Sequence, residues 1–137
     1  MTEFKKHIET NKKAWNKRTP IHIKSNFYNN EEFKKGKGSL KPIELNTIGD
    51  VKGKSLLHLQ CHFGQDSISF ARMGAKVTGV DFSDVAINEA KRIAAEMNMY
   101  VNFIESNVLD LKLNKEFDII FSSYGVIGWL PDLDKWA

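Results

Sequence analysis

The chain has 137 residues, 42% hydrophobic, 27% charged and 11% aromatic, with a net charge of +3. Nine Phe, three Trp and three Tyr exclude a disordered chain, and no apolar run reaches the roughly 18 residues of a membrane span. One cysteine excludes a disulfide framework; with the polar start MTEFKKHIETNKK, unlike a signal peptide, it predicts a soluble cytoplasmic domain.

The charge is unevenly spread. Residues 1–54 carry 13 Lys/Arg against 6 Asp/Glu, and residues 55–137 carry 7 against 11. A basic arm is compatible with nucleic acid, but no nucleic-acid motif accompanies it, so a solvated helical lead-in is the expectation. Thr2 to about Lys17 reads as a helix capped by Thr2, with Phe4, Ile8 and Trp15 at helical spacing and Pro20 as its stop. A second short helix is expected over Glu31–Lys35, ending at Gly36, and a third over Leu40–Ile48, ending at Gly49. The intervening Lys34–Ser39 stretch fails the phosphate-loop pattern, because Gly38 follows Lys37 where Ser or Thr is required. It reads as a turn.

From Ser55 strands and helices alternate. Strands are expected at Leu56–Leu59, Ala75–Val80, Tyr100–Glu105 and Phe117–Ser122. Helices are expected at Gln65–Met73, closed by Gly74, and from the cap Ser83 to about Met97. This alternation predicts an α/β, Rossmann-like parallel sheet with right-handed crossovers, carrying an N-terminal helical extension. The division is a helical arm, residues 1–54, and a cofactor-binding half, residues 55–137. Ligands in this architecture lie beyond the carboxyl ends of the strands, so the residues after each strand carry the interest.

After the first strand, Gln60-Cys61-His62-Phe63-Gly64 leads into a helix whose free N–H groups attract an anionic group. After the second comes Asp81, 17 residues beyond Gly64, whose carboxylate can accept both hydrogen bonds of a ribose diol. Ser106-Asn107 follows the third and offers an amide and a backbone N–H to an adenine edge. Ser123-Tyr124-Gly125 follows the fourth and closes the crevice.

With these strings the sequence resembles the class I S-adenosylmethionine-dependent methyltransferases from Ser55 to about Ala137. SLLHLQCHFG (Ser55–Gly64) stands at the family's glycine-rich first motif, and GAKVTGVD (Gly74–Asp81) at its second. FIESN (Phe103–Asn107) and FDIIFSS (Phe117–Ser123) stand at the third and fourth. HLQCHFG further resembles a bacterial branch in which that string replaces the usual loop. The resemblance implies S-adenosylmethionine as cofactor, S-adenosylhomocysteine as product and a small-molecule methyl acceptor. It implies that the backbone of Gln60, Cys61, His62 and Gly64 lines the amino-acid part of the cofactor, Asp81 takes the ribose hydroxyls and Phe82 covers adenine. Asn107 and the N–H of Val108 would read the adenine edge, and Ser123 and Tyr124 would flank the sulfonium. His62 and Tyr124 are the nearest candidates for a general base, and Trp15 and Tyr28 for a lid.

The first loop departs from the family pattern, because His58, Gln60 and His62 stand where acid, glycine and glycine are usual, and only Gly64 remains. Gln60 and His62 must then take a less strained turn or lend side chains to the ligand. His58, Cys61 and His62 lack the second ligand pair of a structural zinc, so no metal is expected, and His58 is expected to be buried and bonded to a neighbour. Trp129, Leu130, Pro131 and Trp136 read as core or interface. Strand order 3-2-1-4 is expected, with the family's later strands missing, so the chain reads as a fragment whose fourth-strand edge favours self-association. The alternatives are an NAD-type dinucleotide-binding oxidoreductase domain, which lacks its GxGxxG cradle here, and a non-catalytic nucleic-acid-binding module.

Overall fold

Short apolar strands joined by amphipathic helices dominate the computed structural model, which describes residues 2–137. The arm supplies α1 (Glu3–Ile23), α2 (Asn30–Lys34) and α3 (Pro42–Ile48). The remainder supplies β1 (Ser55–Leu59), α4 (Gln65–Arg72), β2 (Lys76–Asp81), α5 (Asp84–Glu96), β3 (Asn102–Glu105), β4 (Ile119–Phe121) and a last turn of helix, α6 (Leu133–Trp136). Thr2 and Ser83 cap α1 and α5 through their hydroxyls, as expected, and the elements of the α/β part fall within a few residues of their predicted bounds.

The sheet is parallel throughout, in the order β3-β2-β1-β4. Its register aligns the strand tips: Leu59 pairs with Val80, and Asp81 with Glu105. Two further bonds, Cys61 N–H to the Val80 carbonyl (2.9 Å) and Ser106 N–H to the Asp81 carbonyl (2.9 Å), carry the ladder into the loops beyond those tips. Among the described residues the outer edge of β4 pairs with nothing, and Ile120 on it is exposed.

Two apolar clusters hold the helices to the sheet. One joins Phe63, Ile68, Ile87, Ile93 and Phe103 with Phe33 of the arm; the other joins Val51, Leu56, Phe70, Val77 and Phe121. Phe103 fits because Gly79 and Gly64 leave it room: a Cβ on Gly79 would meet its ring at 2.8 Å, and one on Gly64 at 2.6 Å.

The arm departs from its expected outline. Helix α1 runs through Pro20 to Ile23. A proline inside a helix removes one backbone bond and crowds the preceding turn. The last turn is held instead by tertiary contacts, for His22 bonds His62 at 3.0 Å and packs edge-on against its ring, and Thr19 is fully buried. Phe4, expected on the apolar face, is exposed, while Ile8 and Trp15 are half-buried. Helix α3 begins at Pro42 rather than Leu40, its proline occupying the first turn where a missing N–H costs nothing. No helix among the described residues is long and apolar enough to cross a membrane.

Candidate functional site

A cavity of about 600 Å³ opens at the carboxyl ends of the strands. Its wall includes Gln60, Cys61, His62 and Gly64 from the loop after β1, Asp81 and Phe82 after β2, Asn107 and Val108 after β3, and Ser123 and Tyr124 after β4. The sheet thus brings all ten cofactor-site residues named from the sequence to one place.

The loop after β1 does not take a relaxed turn. Gln60 (φ +56°), His62 (φ +53°) and Gly64 (φ +81°) all adopt the left-handed conformation, so the two non-glycine residues keep the backbone path that glycine allows freely. Their side chains anchor the loop on both flanks. Gln60 donates from Nε2 to the Val126 carbonyl (3.3 Å) and accepts at Oε1 from the Ser122 hydroxyl (3.3 Å). His62 Nε2 shares a hydrogen bond with Nδ1 of His22 (3.0 Å), and its ring packs against Trp15 and Tyr28. Burial, then the neighbouring His22, push His62 down to about 3; burial, then Arg18, also lower His22. Both imidazoles are therefore neutral near pH 7, one donating and the other accepting.

Asp81 is buried at the cavity wall. Its Oδ2 accepts from the His62 N–H (2.9 Å) and its Oδ1 from the Ser83 N–H (2.9 Å), and the Phe82 N–H also bonds the carboxylate. Burial raises its pKa against the lowering effect of those bonds. Ser83 in turn caps α5 and donates to Asn16 of α1, tying the arm to this strand tip.

Asn107 is both turn former and wall. Its Oδ1 accepts from the Leu109 N–H (3.1 Å), capping a single 3₁₀ turn (Val108–Asp110), and its Nδ2 donates to Asp110 (3.2 Å). Tyr124 is exposed, at φ +50°, with the Lys41 ammonium 4.9 Å from its ring centroid. His58 is buried, bonds Ser67 at 2.7 Å as expected and is pushed down to about 3 by burial. Burial raises the Cys61 thiol far above its ordinary range and keeps it protonated.

The arm roofs the cavity. Trp15 and Tyr28 line it, as do Trp129 and Leu130, which the sequence placed in core or interface. Trp129 is only half-buried because it stacks edge-on against Trp15 (5.3 Å) at the cavity's border. Sequence reasoning missed Lys37, Ser39, Lys41 and Asp66, all in the wall, and His22 behind His62. The Lys/Gly/Ser stretch read only as a turn, and an acid in the first turn of α4 reads as an ordinary complement to the helix dipole.

Fold and crevice together define an α/β domain with a parallel sheet and a cavity at its strand tips. The chain belongs to the methyltransferase-domain family, which matches residues 56–137. It is 38% identical over 72 residues to a ubiquinone biosynthesis O-methyltransferase of Shewanella pealeana, covering 50% of this chain and 30% of that protein. A mitochondrial ubiquinone biosynthesis O-methyltransferase of Schizosaccharomyces pombe is 38% identical over 71 residues, covering 50% of this chain and 26% of that one. Phosphoethanolamine N-methyltransferase 1 of Haemonchus contortus, solved with phosphoethanolamine and S-adenosylhomocysteine, superposes with a TM-score of 0.70 at 17% identity, over 95% of this chain and 28% of that chain. The chain thus spans about a third or less of the length of these relatives.

Proposed function

We propose that this chain carries the cofactor-binding half of an S-adenosylmethionine-dependent methyltransferase acting on a small molecule. The observation that carries the reading is the convergence of Asp81 and the left-handed loop Gln60–Gly64 on one cavity. The donor and acceptor set fits that cofactor. The carboxylate of Asp81 at the cavity wall suits a ribose diol, Phe82 offers a ring face, and the Val108 N–H and Asn107 amide stand at the next strand tip, where an adenine edge would lie. A cavity of about 600 Å³ lies within the range of small-molecule sites.

The cofactor, when bound, supplies a methyl group made electrophilic by its sulfonium. The protein's part is placement: Gln60 and His62 hold the loop, Asp81 would hold the sugar, and Trp15, Tyr28 and Trp129 would exclude water from above. Relatives named for O-methylation in ubiquinone biosynthesis support a small-molecule acceptor. The single free cysteine supports a cytoplasmic setting.

Thermal unfolding of the whole chain with S-adenosylmethionine, S-adenosylhomocysteine and NAD tests the reading. A ligand at 100 times its Kd stabilises by about 2.7 kcal/mol. Only the sulfonium compound and its thioether product should stabilise the protein. Asp81→Ala should remove the effect, and Asp81→Asn, which keeps an acceptor oxygen but loses the charge, should weaken it at least tenfold. Stabilisation by NAD alone, or undiminished stabilisation of Asp81→Ala, would overturn the assignment.

A further inference from the structure

The outer face of α1 takes no part in the cavity. Lys6, Lys13, Lys17 and the cap Lys24 stand seven, four and seven residues apart, close to whole turns of a helix, so they share one stripe. Ile8 and Trp15, which line the cavity, fall on the opposite side. The stripe spans 18 residues, about 27 Å of helix at 1.5 Å per residue. All four lysines are exposed, and none forms an ion pair among the described residues.

Lys12 and Arg18, on other faces of α1, are engaged: Lys12 pairs with Glu105 and Asp84, and the Arg18 guanidinium lies 5.2 Å from the Trp129 ring centroid. The acids of α1 are Glu3, which meets His7 at 3.7 Å, and Glu9, which stands beside the stripe. Like charges aligned on one helix face repel each other, and nothing in the chain neutralises these four. Beside the C-terminal half of the stripe, two large apolar side chains project into solvent. Ile21, four residues after Lys17 and three before Lys24, is 68% exposed, and Phe27 is 81% exposed.

A straight row of ammonium groups with apolar side chains at one end is the complement of an anionic lipid surface. Headgroups supply a plane of negative charge that the row meets along its whole length, and the acyl boundary beneath takes the apolar groups. Nucleic acid supplies the phosphates but has no apolar layer for Ile21. We propose that the outer face of α1 docks the protein on an anionic lipid surface, with Lys6, Lys13, Lys17 and Lys24 on the headgroups and Ile21 and Phe27 at the apolar border. None of the four lysines lines the cavity, so docking is independent of the ligand held there. Phe27 does line it, so docking brings the cavity's rim against the lipid.

Co-sedimentation of the whole chain with phosphatidylcholine vesicles, with and without about one-third phosphatidylserine, tests this at low and high salt. The chain should bind the anionic vesicles at least tenfold more tightly than the neutral ones, and added salt should weaken that binding. Replacing Lys6, Lys13, Lys17 and Lys24 together by Gln should abolish the preference. Replacing the exposed Lys54, Lys76, Lys91 and Lys112 by Gln, an equal loss of net charge, should leave it within about threefold. Ile21→Ser should weaken binding to anionic vesicles at least threefold. Equal binding to both vesicles, no binding to either, equal loss in the two four-lysine variants, or an unchanged Ile21→Ser would each overturn the proposal. So would tighter binding of duplex DNA or single-stranded RNA than of the anionic vesicles at the same salt.

Discussion

A side chain at a left-handed backbone position costs about 1–2 kcal/mol relative to an ordinary conformation, and this chain carries that cost at both Gln60 and His62. What offsets it lies in the side chains: Gln60 ties the loop to the segment after β4, and His62 ties it to α1. This leads to an inversion of the usual order of substitutions. In a helix, alanine is more stabilising than glycine, but here alanine would lose the anchor and keep the strain. His62→Gly should be more stable than His62→Ala by about 1 kcal/mol, and Gln60→Gly more stable than Gln60→Ala by a similar margin, as measured by urea unfolding. The alanine variants being the more stable would show that the loop relaxes once its side chains are gone. Sequence alone placed this loop and Asp81 just at the strand ends, where the structure has them, because those positions follow from the strand pattern. It could not reveal the loop's conformation, since Gln and His at glycine positions suggest a different turn, and only the anchors at Ser122, Val126 and His22 show why the same path is kept.

At the scale of elements, alternation of apolar strands with amphipathic helices was enough to read a parallel sheet with right-handed crossovers, whereas its order β3-β2-β1-β4 was implied by the family resemblance. Pro20 was misleading, since the contact that holds the end of α1 comes from His62, which local sequence does not include. The packing of Phe103 was also hidden. Gly79, in the middle of β2, looks like a weak point in a strand but is the opening through which that ring reaches the helices. Gly79→Ala should therefore destabilise by about 1–3 kcal/mol through overpacking. Adding Phe103→Leu should give a double variant at least about 0.5 kcal/mol more stable than the sum of the two single effects predicts. Strict additivity in chemical unfolding would place the crowding elsewhere.

For the whole molecule, the uneven charge read from the sequence acquires a structural use. Lys12 on α1 meets Glu105 at 2.7 Å and Asp84 at 3.6 Å, and Lys34 meets Glu96 at 3.4 Å, so basic residues of the arm face acids of the α/β part. These pairs are partly exposed and each is worth at most about 1 kcal/mol, so they orient the arm more than they hold it. The firmer attachment is Phe33, which is 2% exposed and sits in one cluster with Phe63, Ile68 and Phe103. None of this was legible beforehand, because the partners lie far apart in sequence and an apolar residue in a five-residue helix carries no periodic signal. If the arm shares the core, Lys12→Met should cost less than about 1 kcal/mol, whereas Phe33→Ala should cost about 3–5 kcal/mol. Unfolding followed by tryptophan fluorescence, to which Trp15 of the arm contributes, should coincide with unfolding followed by circular dichroism of the whole chain. A separate early fluorescence transition, or a Phe33→Ala penalty no larger than that of Lys12→Met, would mean that the roof over the cavity opens independently of the sheet. In that case cofactor and acceptor would meet a site assembled only on binding.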